Sequence, residues 1–304
     1  MLCIAQKEPR PADNSAIIKT EMRNVMYHFS DNITAHIAWL EGDLTPTVPG
    51  KIPVFDDDRS FMISIRSAEI AVSSESLANV LNEHVFAAND APLKGISIEP
   101  QKDTIKVKGK LHSKGDVPFE TDGTIEATSE GEIRIHTQKV RAAHLPVKGI
   151  MDLLGIKISD LINTKKLQGI RAEGDDLILN PEIFPPPKIQ GKITSIRMEG
   201  NMIVQVYGTA RPGAENRANA GENYMSYRGA QLRFGKLTMN DTDLVLLDMD
   251  PKDPFDFQLS HYKDQLVAGY SKTTPSFGLR VYMRDWNKLK NAQAYKTAPT
   301  PRKR

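Results

Sequence analysis

The sequence predicts a mixed α+β fold of the mostly antiparallel kind, with long curved strands wrapped around two helices. Three observations carry this expectation. Several stretches alternate apolar and polar residues with period two, the pattern of strands that bury one face. Leu77, Val80, Leu81, His84 and Val85 repeat at the spacing of an amphipathic helix. Residues 146–162 are apolar around most of the helical circumference, as in a helix buried on several sides.

Residues 7–15 form a Pro-rich, polar, disordered lead. Met1 to Gln6 reads as the remnant of an apolar export stretch, which lacks the charged start and full length of a signal peptide. An unstructured cytoplasmic N-terminus is the alternative. Two long strands are expected within 17–48. Ile18, Met22 and Met26 fall on one face of the first, and Val25, Tyr27 and Phe29 on the other. In the second, Ile33, Ala35, Ile37 and Trp39 oppose Thr34, His36, Ala38 and Leu40. Asp31-Asn32 supplies the turn between them. A loop rich in Pro and Asp covers 45–60, and a strand resumes over 61–72.

Ser73 to Ser76 is a helix start, with serine side chains for the orphan N–H groups and Glu75 near the positive end of the dipole. This helix is expected to end near Asn89-Asp90. The clearest strands follow. Ile105, Val107, Gly109 and Leu111 alternate with Lys106, Lys108, Lys110 and His112. Val117 to Ala127 and Ile133 to Gln138 continue the meander, setting an acidic row beside the lysine row. Pro146 sits at the first turn of the second helix. Leu167 to Leu179 is a hairpin about Gly174-Asp175, and Asn180 to Lys188, with four prolines, marks a boundary. Beyond it come a hairpin about Gly200-Asn201, a polar loop over 209–223, strands at 231–239 and 244–247, an acidic turn at 248–256, a short helix within 261–270 and a last strand at 278–283. The chain therefore divides into 1–15, a domain at 16–187, a β-rich extension at 188–286 that packs on or continues it, and a basic disordered tail at 287–304.

The 304 residues carry a net charge of only +2, and aromatics make up 7% without interleaving with basic residues. Nucleic acid is not an expected partner. The tail from Lys288 to Arg304 is basic; it reads as a solvated end, with weak peripheral attraction to an anionic membrane surface as the alternative. The single cysteine, Cys3, excludes an intrachain disulfide. No run of about eighteen apolar residues is present to span a membrane as a helix.

No catalytic or metal motif is found, so the chain is expected not to be an enzyme and to need no cofactor. Asp248, Asp250, Asp253 and Asp256 fail the EF-hand pattern, because Lys252 stands where an oxygen ligand is wanted and no glycine follows. They read instead as a solvated turn that caps nearby backbone. The seven histidines never adopt a metal-ligand spacing. His84 reads as a core or rim residue, and His112 and His136 as members of a polar strand face. Gly269-Tyr270-Ser271 lacks the second glycine of a nucleophile elbow. Gly191-Lys192 fails as a P-loop, since Ile193 replaces the hydroxyl residue.

Helix and meander together are expected to line an elongated apolar cavity through Leu77, Val80, Leu81, Val85, Ile105, Val107, Phe119, Ile125, Ile150, Leu154 and Ile158. The competing reading is a filled core beneath the sheet. Gly109, Gly123, Gly149 and Gly155 either leave room for a ligand or mark bends and close packing. The run Val72-Ser73-Ser74-Glu75-Ser76-Leu77, then Leu93 to Ile98, Ile105 to Gly109, Pro118-Phe119, Leu153-Leu154-Gly155, and Gly169-Ile170-Arg171 through Asn180-Pro181, resembles the bacterial LmeA-like lipid-binding proteins of the tubular-lipid-binding (TULIP-like) type. The resemblance covers roughly residues 16–187. It implies an exported protein of the periplasm or cell envelope that binds or shuttles phospholipid or another acyl chain without catalysis. The alternatives are a cytoplasmic protein, and a structural or protein-interaction module without a cavity.

Overall fold

The computed structural model describes residues 17–102, 104–112, 116–142, 145–146, 167–209 and 223–297, together with Lys157, Ser159 and Thr164. It is mostly β, with few helices. Strands β1 (Ile18–His28), β2 (Thr34–Pro46) and β3 (Phe61–Ser73) form an antiparallel meander. A helix, Ser74–Val80, follows directly and tightens into a π turn at Leu81–Val85. A second meander comprises β4 (Leu93–Pro100), β5 (Ile105–His112), β6 (Asp116–Ala127), β7 (Ile133–Ala142) and the short β8 (Leu145–Pro146), closed by the hairpin β9 (Ile170–Glu173) and β10 (Asp176–Leu179). Then come β11 (Lys188–Gln190), β12 (Ile193–Glu199), β13 (Met202–Tyr207), β14 (Tyr224–Gly229), β15 (Leu232–Phe234), β16 (Leu237–Met239), β17 (Thr242–Asp248), β18 (Phe255–Gln258), β19 (Tyr270–Thr273) and β20 (Leu279–Met283). Short helices occupy Tyr262–Val267 and Trp286–Thr297.

Among the described residues the larger sheet runs β12-β13-β3-β2-β1-β14-β17-β20-β19, with β11 beside β3 and β18 beside β1. It curls into a half barrel. Strands from beyond residue 190 thus flank the first three on both sides. One buried core joins helix, second meander and curled sheet.

The curl has a local cause. Asn24 adopts a left-handed conformation (φ 47°), and Ala38 in β2 and Arg66 in β3 are each inserted as an extra residue opposite their partner strand. Such bulges bend a strand and increase its twist. They also switch faces. Ile18, Met22, Val25 and Tyr27 all lie buried on one side of β1, where unbroken alternation placed Val25 and Tyr27 opposite Met22. Leu40 likewise joins Ala35 and Ile37, while Trp39 passes to the other side. The break at Asn24 also divides one edge of β1: β14 pairs antiparallel with Ile18 to Arg23, and β18 parallel with Val25 to His28.

The Ser74–Val80 helix starts as its sequence predicts, with Ser73 Oγ accepting from Ser76 N at 3.0 Å. It ends earlier than Asn89-Asp90. Asn82 turns to β4, donating Nδ2 to Ile96 O and accepting from Ile96 N, each at 2.8 Å, which ties the last turn to the sheet. The π turn leaves His84 exposed rather than in the core.

The second meander keeps its expected outer face. Lys106 pairs with Glu120 at 3.1 Å, Lys108 with Glu99 at 2.6 Å, and Arg141 with Glu120 at 2.9 Å. His112 and His136 meet Asp116 and Asp176. Exposed pairs of this kind are screened by solvent, so these rows act more on register than on stability.

Two further expectations are corrected. Residues 287–297 are helical rather than part of a disordered tail, because Lys288 reaches Asp250, Asp253 and Asp285 at 3.0, 3.2 and 2.6 Å. The acidic turn is correspondingly less solvated than expected: Asp248, Asp256 and Asp285 are buried. All three carboxylates cap backbone, Asp248 accepting from Asp250 N at 2.7 Å, Asp256 from Asn287 N at 3.1 Å and Asp285 from Asp256 N at 3.0 Å.

Burial pushes the Asp248 carboxyl up to about 6, against the hydrogen bonds from Asn223 and Asp250 N that favour its charged form. Its folded value lies above the unfolded one, so its stabilising contribution is complete below about pH 4 and is lost as pH rises through about 6. Urea unfolding is expected to show this as a fall of about 1–2 kcal/mol between pH 4.5 and 7.5. Asp248→Asn should flatten that segment of the profile, and an equally steep variant profile would count against the assignment.

Candidate functional site

The apolar opening lies on the concave side of the half barrel. Three rows of inward side chains run across β1, β2, β3 and β13: Met22, Leu40, Ala68 and Tyr207; Val25, Ile37, Ile70 and Gln205; Tyr27, Ala35, Val72 and Ile203. Members of all three rows line a cleft, closed on its far side by Phe184, Pro187 and Ile189. No charged side chain lines it.

The covering segment is the proline run expected to mark a boundary. Asn180 fixes its start, its backbone N donating to Gly169 O at 2.7 Å and its side chain accepting from Glu182 N at 2.9 Å. Pro185, Pro186 and Pro187 carry no N–H, so the segment crosses an apolar face without burying unpaired backbone donors. Beyond them β11 pairs in parallel with Met62 to Ser64 of β3 and anchors the far end. Phe184 packs on Phe29 with ring centroids 5.5 Å apart, and Phe29 on Tyr27 at 4.9 Å. The result is a strap, held at both ends, over a curved apolar wall. The space left beneath it is about 30 Å³, enough for the centre of a water molecule or two.

One polar group interrupts the wall. Gln205 is 1% exposed. The Tyr207 hydroxyl donates to its Oε1 at 3.1 Å, while its Nε2 has no hydrogen-bond partner among the described residues. Burial pushes the Tyr207 phenol well above its ordinary range, so the hydroxyl keeps its proton.

None of the described residues expected from the sequence to line a cavity lines this cleft. Leu77, Val80, Leu81, Val85 and Ile105 are buried in the common core, and Val107, Phe119 and Ile125 pack half-buried against it. Ile150, Leu154 and Ile158 lie outside the described residues, as do Gly149, Gly155 and most of the stretch 146–162 expected to be helical; Pro146, expected in its first turn, stands in β8 instead. At Gly109 and Gly123 a neighbouring group already stands where a side chain would go. The Phe119 ring covers Gly109, where a Cβ would stand 3.0 Å from a ring carbon, and Gly123 faces the His136 carbonyl at a bulge. A wider hollow of about 360 Å³ beside Gly109 and Phe119 is rimmed by Lys108, Glu120 and Arg141, whose charges are already paired, Arg141 with Glu120, Glu120 also with Lys106, and Lys108 with Glu99.

Among the described residues no group of three or more His, Cys, Asp or Glu side chains is placed to hold a metal ion. No helix among them is long and apolar enough to cross a membrane. In comparisons with known proteins, the chain matches no family model, no curated protein and no solved structure.

Proposed function

We propose that the protein is a non-enzymatic lipid-binding module of tubular-lipid-binding-like build, which takes an acyl chain into the cleft between the half barrel and the Phe184–Ile189 strap. The observation that carries this reading is an uncharged apolar wall covered by a proline segment that is hydrogen-bonded at its two ends. Burying a chain there gains about 0.8 kcal/mol per CH₂ before the cost of opening. The cleft is narrow, so a chain enters as the strap lifts and Phe184 leaves Phe29. The resemblance of residues 16–187 to exported lipid-binding proteins supports both this ligand class and a place in the bacterial envelope.

Native mass spectrometry of the purified chain should show a co-purified lipid mass that organic extraction removes, and the extracted protein should take up a fluorescent acyl probe. A clean protein mass with no uptake overturns the reading. Phe184→Ala removes one aromatic contact holding the strap, worth about 0.5–1.5 kcal/mol, and is expected to speed uptake about 2- to 10-fold in stopped-flow fluorescence. Unchanged kinetics would place the opening elsewhere.

A second reading has one observation in its favour. The small volume under the strap also suits an interaction module with a filled core and no ligand. The two readings part on a cleft-filling substitution, treated below.

A further inference from the structure

We infer that the cleft recognises an uncharged carbonyl, so that its ligand is an acyl ester or a similar neutral lipid carbonyl rather than a plain hydrocarbon or a free carboxylate. This rests on the lipid-binding reading above and narrows its ligand class.

The inference starts from the inward positions of β13, which alternate Ile203, Gln205 and Tyr207. An apolar residue at the middle position would complete the wall, since its cross-strand neighbours are Ile70 on β3 and Ile196 on β12. An amide stands there instead, 1% exposed. A buried amide without partners carries a desolvation cost of about 1–3 kcal/mol. The Tyr207 hydroxyl satisfies Oε1 and thereby orients the group. Its burial keeps the phenol protonated, so this donor role persists across the ordinary pH range. Nε2, a two-proton donor, then remains without an acceptor among the described residues.

Gln205 itself lines the cleft, and with Oε1 held by the Tyr207 hydroxyl its Nε2 is the group left to meet a ligand there. The acceptor this donor suits is neutral. A carboxylate brought into a cleft with no charged lining would lose its hydration without gaining a counter-charge, which costs more than one amide hydrogen bond returns. An ester or amide carbonyl, or a protonated carboxyl, meets the donor without that penalty. The anchored carbonyl would leave the attached chain along the apolar rows of β1, β2 and β3.

The test uses the whole chain and three pyrene probes of equal length: a methyl ester, an alkane, and a free fatty acid at about pH 8, where its carboxyl is ionised. Wild type should bind the ester about 3- to 10-fold more tightly than the alkane, and the fatty acid less tightly than the ester. Gln205→Leu and the size-matched Gln205→Met should erase the ester preference, with the alkane bound at least as tightly as by wild type. Equal binding of ester and alkane by wild type overturns the inference while leaving the lipid-binding reading intact. So does an ester preference that survives in either folded variant. Wild-type binding of none of the probes overturns the lipid-binding reading, and this inference with it.

Discussion

Phe55→Ala is expected to lower the unfolding free energy by about 3–5 kcal/mol, the largest stability effect of any substitution considered for this chain. Phe55 is 1% exposed although it lies in a loop rich in proline and aspartate. Its ring meets Tyr227 of β14 at 5.5 Å, Phe234 of β15 at 5.1 Å, Phe257 of β18 at 6.2 Å and Tyr262 at 5.7 Å. Aromatic pairs add about 0.5–1.5 kcal/mol each beyond the area they bury, and all four partners would be left facing a cavity. The backbone does little to hold the loop without the ring. Phe55 N donates to Arg233 O at 2.8 Å and Arg233 N to Pro53 O at 2.9 Å, a two-bond bridge at the rim. The substitution also tests whether the chain folds as a unit. Trp39 lies in β2 and Trp286 opens the last helix, so fluorescence in single-tryptophan variants follows both halves. One shared core predicts that both report a single transition, shifted together to lower urea. A loss under about 1 kcal/mol, or separate transitions with only Trp286 affected, would show that Phe55 does not join the halves.

The regular parts of the fold were legible in the sequence and the irregular parts were not. In β5 the alternation runs unbroken from Ile105 to Leu111, so the charged outer face could be assigned residue by residue. In β1 and β2 the same logic assigns the wrong faces, because a left-handed Asn24 and an inserted Ala38 each reverse the alternation midway. Nothing in period-two patterning marks such a bulge. Strand β14 escapes notice for a different reason. Tyr224 to Tyr227 is buried on both faces, so it does not alternate, and it follows a long polar run. The cleft was hidden because its walls come from residues near 30 and 70 and from residues near 185 and 205, on either side of a proline run that reads as a boundary. Proline there does not end a domain; it lets the backbone cross an apolar face without unpaired donors. Gln205 had one available signal, a polar residue at an inward position between Ile203 and Tyr207. That signal has meaning only once β13 is known to pair with β3.

Ala35→Phe is expected to abolish acyl uptake, with a drop of at least about 10-fold in affinity, while the protein stays folded. Ala35 is 4% exposed and stands on the cleft wall, paired with Tyr27 across β1 and with Val72 across β3. A phenyl ring built there would project beneath the strap toward Phe29 and Phe184, into a space of about 30 Å³. That space admits the centres of no more than a water molecule or two, so a phenyl ring there takes the place of the ligand and presses on the strap. Overpacking of this kind costs about 1–3 kcal/mol, and contact with the neighbouring aromatic rings offsets part of it. The two readings of the cleft then predict different pairs of measurements. If the strap lifts for a ligand, it already tolerates displacement, so Ala35→Phe should lie near the low end of that stability cost and lose uptake. If the cleft is a filled core, the variant should lie near the high end, and neither it nor wild type should take up the probe. Uptake that persists at wild-type affinity in a folded Ala35→Phe protein would show that the ligand sits outside this cleft, and the assignment of the half barrel as the binding surface would fall.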